Sequence, residues 1–593
     1  MKEAYGDKAD DWILRRLFQK GEISYTVSDI SKAIGPMIDL MFISQFIGTN
    51  GVTVMGYVAP LIMLFELIGT TISSGARSKV SALFGAGKLD DANRAFSGSV
   101  IMGGGLSLFT ALGVCAFCAF VARVLGARDP GIQEMTKQYI FGYLIGFPSF
   151  TLTRILTPYL QMEGQYRRVS AISMLTTVID VAADAVVIFA LRGGMFEIGL
   201  ATSMGYIIPF FVGAAFFAGG KSGSVFRFSF KGFTPKLGAE IFRLGAPAGV
   251  VKGSGSIGGM LVNNLLTSLK MPYLVAACGV FSQITVFLRS AWYAPADTLH
   301  AFAGVFIGEE DRDSLKKIQG MSVIHALLFS GAATAVLYVL ANPLAAVFLK
   351  SSDPAALRLS AECIRIACFS LLFHAITYNF NNYLMAVKRI RLSCLYSFLL
   401  ECGALVPLTF LFLQLIGYRG AWISKIVNML VLSFIAAVYV FTREGRTFRD
   451  KMLLLPDSFG ISREDEIAVM ASSAEEIEDL SRLAIAFALE HGADKKRARL
   501  FGLIAEELSG LLAEHGFADG KPHSVNARLV AKDEDLIIRL RDDCRPFNVT
   551  QYYRAIEAER DIEKEIGLSI IMKIAKDVTY TTTFGANNLI VRI

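Results

Sequence analysis

Charge is what this sequence has least of. Asp, Glu, Lys and Arg make up 19% of its 593 residues and apolar residues 53%, whereas a soluble globular chain is about 25% charged. The shortage is uneven: up to about Phe441 one apolar stretch follows another, and beyond it charge is dense. Cysteines are few, and seven of the eight lie in apolar stretches, which argues against a disulfide framework. Cys115 and Cys118 have metal-like spacing but no second pair or histidine partner, so they read as small packing residues. The N-terminus, MKEAYGDKADDWILRRLFQKGE, has no short apolar core with a cleavage site, so no removable signal peptide is expected. The net charge of +6 is spread over loops, and without a basic stripe interleaved with aromatics nucleic acid is not expected as a partner.

What is there is lipid-soluble helix. A spanning helix needs about 20 mainly apolar residues, and twelve windows qualify: 26–47, 52–74, 96–125, 136–160, 168–191, 197–219, 240–268, 273–305, 319–349, 357–386, 391–416 and 420–441. Basic residues crowd the loops of one side, among them Arg15, Arg16, Arg77, Lys88, Arg94, Arg167, Arg168, Lys388, Arg389 and Arg443. The excess of Lys and Arg on cytoplasmic loops then puts both termini in the cytoplasm of a multi-pass protein in the cell (plasma or inner) membrane, in contact with the lipid bilayer.

The halves echo each other. GAGKLDDANRAF (from Gly85) resembles IGEEDRDSLKKI (from Ile307), aligning Gly87 with Gly308; ARDP ending at Pro130 matches SSDP ending at Pro354; MEGQYRR (from Met162) matches MAVKRIR (from Met385); Gly199…Ser203 matches Gly420…Ser424. Four matches in order at offsets of 221–224 residues indicate two six-helix lobes in parallel repeat, with a substrate path between them. The expected divisions are 1–220 (N-lobe), 221–442 (C-lobe), 443–456 (linker) and 457–593 (cytoplasmic domain).

A carboxylate deep in a span costs at least about 2.5–3.5 kcal/mol, so such residues are functional candidates. Asp39 lies mid-window in the first span; Asp180 and Asp184, four apart, share a helix face in the fifth. Three carboxylates in one half can bind a hard cation through oxygen ligands or hold a proton. In the second half the seventh span offers Lys252, Asn263 and Asn264 but no acid after Glu240, and nothing acidic lies between Glu362 and Glu401, so a cation site there is not expected. Arg289 and Asp297, eight apart, could pair on one face and hold helices together. Glu66, Lys252, Asn263, Arg289 and Asp297 are candidate cavity-lining groups.

A 6+6 chain with ALFGAGKLDDANRA (Ala82–Ala95), Ile38-Asp39 in the first span, GFP (Gly146–Pro148), GAP (Gly245–Pro247) and DxxxD late in the fifth span resembles the multidrug and toxin extrusion (MATE) transporters. The resemblance implies an antiporter, not an enzyme, that moves lipophilic, usually cationic, organic compounds outward against H⁺ or Na⁺. It places the coupling site at Asp39 and Asp184, the two that would be metal ligands if Na⁺ is used. Asp180 stands where the family commonly has Asn, and Thr202 matches a hydroxyl of the sixth span. Two other readings are a flippase for lipid-linked sugars, which usually wants a strongly basic cavity, and a membrane-anchored signalling or sensor protein.

From about Asp457 strands and helices alternate. The order resembles an α/β sandwich of the histidine-kinase-like ATPase type, in the small form of anti-sigma-factor kinases. The match rests on Glu506-Glu507-…-Leu511-…-His515-Gly516, on Asp542-Asp543-Cys544-Arg545-Pro546-Phe547, and on a reduced glycine run at Gly567. It implies nucleotide contacts at Glu507, His515, Asp542 and Gly567. Leu511 occupies the place of an amide that would ligate Mg²⁺ and has no oxygen to offer. The expectation is a degenerate regulatory domain, without ATP turnover, that binds nucleotide weakly or not at all or docks a regulatory protein.

Overall fold

The computed structural model describes residues 6–593 except 48, 126, 128, 219–223, 231–232, 270, 272–273, 350–353, 444, 446, 462–463, 472–478, 518–522, 533 and 560–565. The apolar runs form α1 (Gly6–Phe46), α2 (Thr49–Gly85), α3 (Leu89–Ala116), α4 (Cys118–Val124), α5 (Pro130–Met162), α6 (Tyr166–Ala185) and α7 (Met195–Ala218). The second half repeats the order with α8 (Pro235–Ser268), α9 (Leu274–Leu288), α10 (Ser290–Glu309), α11 (Arg312–Val339), α12 (Ala341–Leu349), α13 (Pro354–Ala367), α14 (Ser370–Ala386), α15 (Ile390–Phe398), α16 (Leu405–Ile416) and α17 (Gly420–Phe441). Helix thus covers the expected windows, with breaks such as Phe117 in the third and Arg289 in the eighth. Among the described residues seven helical stretches are long and apolar enough to cross a membrane, or eight if α13 and α14, bent by 47°, form one span. One stretch, Ile390–Phe441, runs through two expected windows.

Turn chemistry supports the repeat and corrects one of its alignments. After α2, the Gly87 N–H donates to Phe84 O and the Lys88 N–H to Leu83 O; after α10, Glu310 and Asp311 do the same to Ile307 and Phe306. These are Schellman caps, whose central residue is left-handed: Gly87 at φ 73° and Glu310 at φ 58°. Gly87 therefore corresponds to Glu310 rather than to Gly308. The α5 and α14 ends form the same pair of bonds at Gly164 and Lys388.

The lobes touch along the C-terminal half of α2. A Cβ on Gly75 would lie 1.9 Å from Ile241 O, one on Gly245 1.7 Å from Thr71 O, one on Gly85 2.0 Å from Val305 O, and one on Gly308 2.2 Å from Ala82 O. Only glycine lets these backbones meet. Near the opposite end of α2, a Cβ on Gly56 would meet nothing within 4 Å. The cleft between lobes is closed on the side of the α2–α3 and α10–α11 turns and widens away from it.

The segment expected as a linker is partly built into the C-lobe. It holds α18 (Phe448–Met452), with a Thr447/Asp450 capping box, and its Leu453 and Leu454 are buried. Arg312 then donates to the carbonyls of Pro456, Asp457 and Phe459. Beyond it, β1 (Glu466–Ala471), β2 (Val525–Lys532), β3 (Asp535–Asp542), β4 (Asp577–Thr583) and β5 (Ala586–Arg592) form one antiparallel sheet in the order β1-β2-β3-β5-β4. Its helices are α19 (Leu480–Glu490), α20 (Lys495–Leu511), α21 (Val549–Glu559) and α22 (Ile566–Ile574). The first, second and fourth were expected; the third was not.

Strand alternation gives this sheet two faces. Ala527, Leu529, Ile538, Leu540, Leu589 and Val591 pack with the helices. The other face sets Arg528 opposite Arg539 and Asn526 opposite Arg541. Like charges directly opposite are destabilising, and the turn after α10 relieves them: Arg528 pairs with Asp311 at 2.8 Å, Arg541 pairs with Glu309, and Lys532 pairs with Glu310 at 2.7 Å. The β4–β5 turn reaches the N-lobe as well. Phe584 N–H donates to Met162 O at 2.6 Å, and its ring stacks on Phe302 at 3.8 Å. The domain therefore grips the end of α5 in one lobe and α10 in the other.

Candidate functional site

Asp39 on α1 and Asp180 and Asp184 on α6 are buried, as the four-residue spacing on one face requires. The Asp39 and Asp184 carboxyls lie within hydrogen-bond reach of each other, with Asp180 beside them. Both Asp184 oxygens and one oxygen each of Asp39 and Asp180 lack any protein donor. Asp180 is fitted between two glycines: a Cβ on Gly35 or on Gly205 would come within 3.0 Å of it. Tyr139 of α5 faces both Asp39 and Asp180. Thr202 donates to Ile198 O at 3.2 Å and sits within reach of the Tyr139 hydroxyl, so it meets the acids through that tyrosine. Among the described residues no group of three or more His, Cys, Asp or Glu side chains is arranged to hold a metal ion. Among the described residues the three acids form no ion pair with Lys, Arg or His.

The cavity candidates gather between the lobes, with two corrections. Glu66 of α2 accepts from Lys252 of α8 at 2.9 Å and lies 3.6 Å from Arg154 of α5. Arg289 and Asp297 do not pair: the helix breaks at Arg289, so the eight-residue spacing no longer keeps one face. Asp297 pairs instead with Arg77 of α2 at 3.5 Å, and Arg289 lies over the Tyr293 ring at 5.8 Å. Asn263 is exposed on α8, roughly three turns beyond Lys252, and is not brought to this group. Asp29, Lys32, Arg77 and Arg154 belong to the cleft and were missed. Asp29, Lys32 and Arg154 sit inside expected spans, so the test that found Asp39 would have found them; Arg77 was counted as a loop charge.

In the C-terminal domain Asp542 is buried and accepts from Cys544 N–H at 3.0 Å and from Asn587 at 2.6 Å; burial pushes its carboxyl up to about 6. It edges a narrow pocket with Leu508, Leu511, Phe547 and Val549. His515 stacks on Phe547 at 4.1 Å. A Cβ on Gly567 would lie 2.1 Å from a Glu507 oxygen. The Glu507 carboxylate thus takes the N-terminus of α22, where a phosphate would be favoured. Of the expected glycine run EIGLSII, the first residue, Glu565, lies outside the described residues.

Two helical lobes in parallel repeat, closed at one end of the cleft, define a membrane transporter. The family model MatE matches residues 26–186 and 247–411, and the chain belongs to that family. It is 21% identical over 436 residues to the multidrug export protein MepA of Staphylococcus aureus (strain NCTC 8325 / PS 47), covering 72% of this chain and 94% of the relative. It is 20% identical over 341 residues to the probable multidrug resistance protein YoeA of Bacillus subtilis (strain 168), covering 55% and 72%. Its fold is similar to an outward-facing multidrug resistance MATE family transporter of the MOP superfamily (TM-score 0.67, 17% identity, 74% of this chain and 98% of that one). The Vibrio cholerae MATE transporter VcmN in the bent form matches similarly (TM-score 0.68, 18% identity, 75% and 98%). The family match ends at residue 411, well before the C-terminal domain.

Proposed function

We propose that the chain is a proton-coupled exporter of amphiphilic organic molecules, crossing the cell membrane twelve times with both termini in the cytoplasm. The observation that carries this reading is the Asp39–Asp184 pair, two buried carboxyls within hydrogen-bond reach and without a cationic partner. Two such groups repel unless a proton or cation sits between them. A proton arriving from the open end of the cleft neutralises the pair, and its release to the cytoplasm restores the repulsion. The two protonation states therefore favour different helix arrangements, which is what an antiporter needs. Export by the MepA relative, as its name states it, supports the direction of transport.

The C-terminal domain is read as a regulator of histidine-kinase-like descent that does not turn over ATP. Leu511 and the Glu507 carboxylate at Gly567 both support that reading. By holding Met162 in one lobe and Glu309–Asp311 in the other, it favours the arrangement closed on the cytoplasmic side.

The test is dye efflux from cells expressing the chain, with Na⁺ and pH varied separately. Efflux should follow the pH gradient and be lost in Asp184→Asn. Efflux that follows Na⁺ and ignores pH would overturn proton coupling.

A further inference from the structure

The charge lining the cleft has a sign that the N-lobe acids hide. Asp29 and Lys32 come from α1, Glu66 from α2, Arg154 from α5, Lys252 from α8 and Arg289 from the α9–α10 break. Lys32 pairs with Asp29 at 3.4 Å and also faces Arg154 and Arg289. Glu66 is shared by Lys252, Arg154 and Arg289. That is four cations around two carboxylates. Extending the count to both flanks leaves the imbalance unchanged: Arg77 is matched by Asp297, and Lys425 by Glu401. The side chains of Lys32, Lys252 and Glu66 are 44%, 33% and 30% exposed although they sit on interior helices, so they line open space between the lobes.

Arg289 is the group left over. It faces Asp29 and Glu66, yet among the described residues it forms no ion pair, and its buried Nε has no hydrogen-bond partner. Two or more uncompensated cations between membrane helices call for a counter-charge. Guanidinium groups supply flat, two-pronged donors that suit carboxylates, sulfonates and phosphates. Aromatic surface adjoins them: Tyr293 stacks on Tyr378 at 3.9 Å, and Arg154 lies 5.2 Å over the Phe150 ring.

We infer that the cleft binds an organic anion with an aromatic or apolar body, its acidic group held by Arg289, Arg154 and Lys252, in place of the organic cation that the family resemblance implies. The inference rests on the exporter reading and names its substrate class. Binding also has a consequence for the lobes. The Glu66–Lys252 bond joins N-lobe to C-lobe, and an anion competing for Lys252 and Arg154 loosens that joint as it loads.

The test uses the full chain in phosphatidylcholine nanodiscs, with fluorescein as the anionic probe and ethidium as the cationic one. Fluorescence anisotropy should show saturable fluorescein binding that weakens at least about tenfold in Arg289→Gln, the loss expected for a charged hydrogen bond, and recovers largely in Arg289→Lys. Ethidium should bind no better than to empty nanodiscs. Displacement of fluorescein by phosphatidylglycerol would identify the anion as a lipid headgroup, and displacement by toluenesulfonate alone a soluble compound; both support the inference. Saturable ethidium binding with no fluorescein binding overturns it and leaves the exporter reading standing. Dye efflux from cells separates the two claims. If neither dye is exported but fluorescein binds in an Arg289-dependent way, the anion site stands and the exporter reading falls. If an Arg289→Gln sample is not monodisperse, Lys252→Gln and Arg154→Gln are read by the same criterion, and unchanged fluorescein binding in both overturns the inference.

Discussion

The two lobes share helix order and turn chemistry, yet they treat buried charge in opposite ways. In the N-lobe Asp39, Asp180 and Asp184 face one another with no cation paired to them among the described residues. In the C-lobe the acids have basic neighbours: Asp297 has Arg77 and Glu401 faces Lys252 and Lys425 in the interior, and at the surface Glu362 has Arg419 at 2.6 Å. Counting from the matched turns at Gly164 and Lys388, Asp180 and Asp184 fall on Ala404 and Leu408. A duplicated fold has thus divided its labour. Paired charges cost little motion and hold helices together, whereas an unpaired set must take up a mobile cation to exist in a dry interior.

The largest effect should come from erasing that asymmetry. Asp39→Asn and Asp184→Asn should each reduce export about a hundredfold or more while membrane insertion persists, since each removes a charge that the site must neutralise. Asp180→Asn should be milder. Glu362→Gln, in the other lobe, should stay within about threefold because an exposed pair contributes little. Equal losses in both lobes, measured as efflux rate per inserted protein, would end the division proposed here.

Next in size is the contact between lobes. Gly75→Ala puts a methyl 1.9 Å from Ile241 O, where only backbone could yield. Export should fall about tenfold or more, as closure between two packed surfaces has no room for it. Each lobe keeps its own packing, so expression should be near normal. Cysteine cross-linking across the closed end of the cleft should fall in parallel.

The C-terminal domain sharpens the comparison because it holds both lobes at once. Truncation after Gly460 should leave an exporter with an altered rate of a few fold, within what docking contacts commonly modulate. Truncation after Lys451 should cost far more, because it also removes buried Leu453 and Leu454, each worth about 2–5 kcal/mol. Similar expression and rates for the two truncations, by size-exclusion and efflux, would show that the segment is a free linker after all.

The smallest effect is one of pH on docking. Burial would push Asp311 up, but the Arg528 and Arg541 guanidiniums hold it well below the usual carboxylate range. A carboxyl lowered in the docked state stabilises docking above its free pKa of about 4 and loses that contribution as pH falls below it. Protease accessibility of the C-terminal domain should therefore rise below about pH 4 in the wild type and already at neutral pH in Asp311→Asn. No difference between the two proteins at pH 7 would remove Asp311 from the docking contact.

Much of this was legible along the chain. The helices, the repeat and the acids of α1 and α6 follow from hydrophobic length, offset and a cost of burial that is large for any lone carboxylate. The five strands follow from local alternation. The paired residues were harder. Arg77 read as a loop charge because the end of α2 beyond the membrane cannot be told from a loop by charge alone. Arg289–Asp297 read as a pair because nothing in the spacing announces a helix break.

Local composition, with a period of 3.6 or 2, therefore settled which segments are helix or strand and which residues are too costly to bury without a purpose. Partners were settled elsewhere. Whether Glu66 meets Lys252, whether Asp311 meets Arg528, and whether four cations outnumber two acids in one cleft all depend on contacts between residues far apart in the chain. Such contacts are set by how the two lobes close on each other and how the sheet docks beneath them, and no window along the sequence contains both sides.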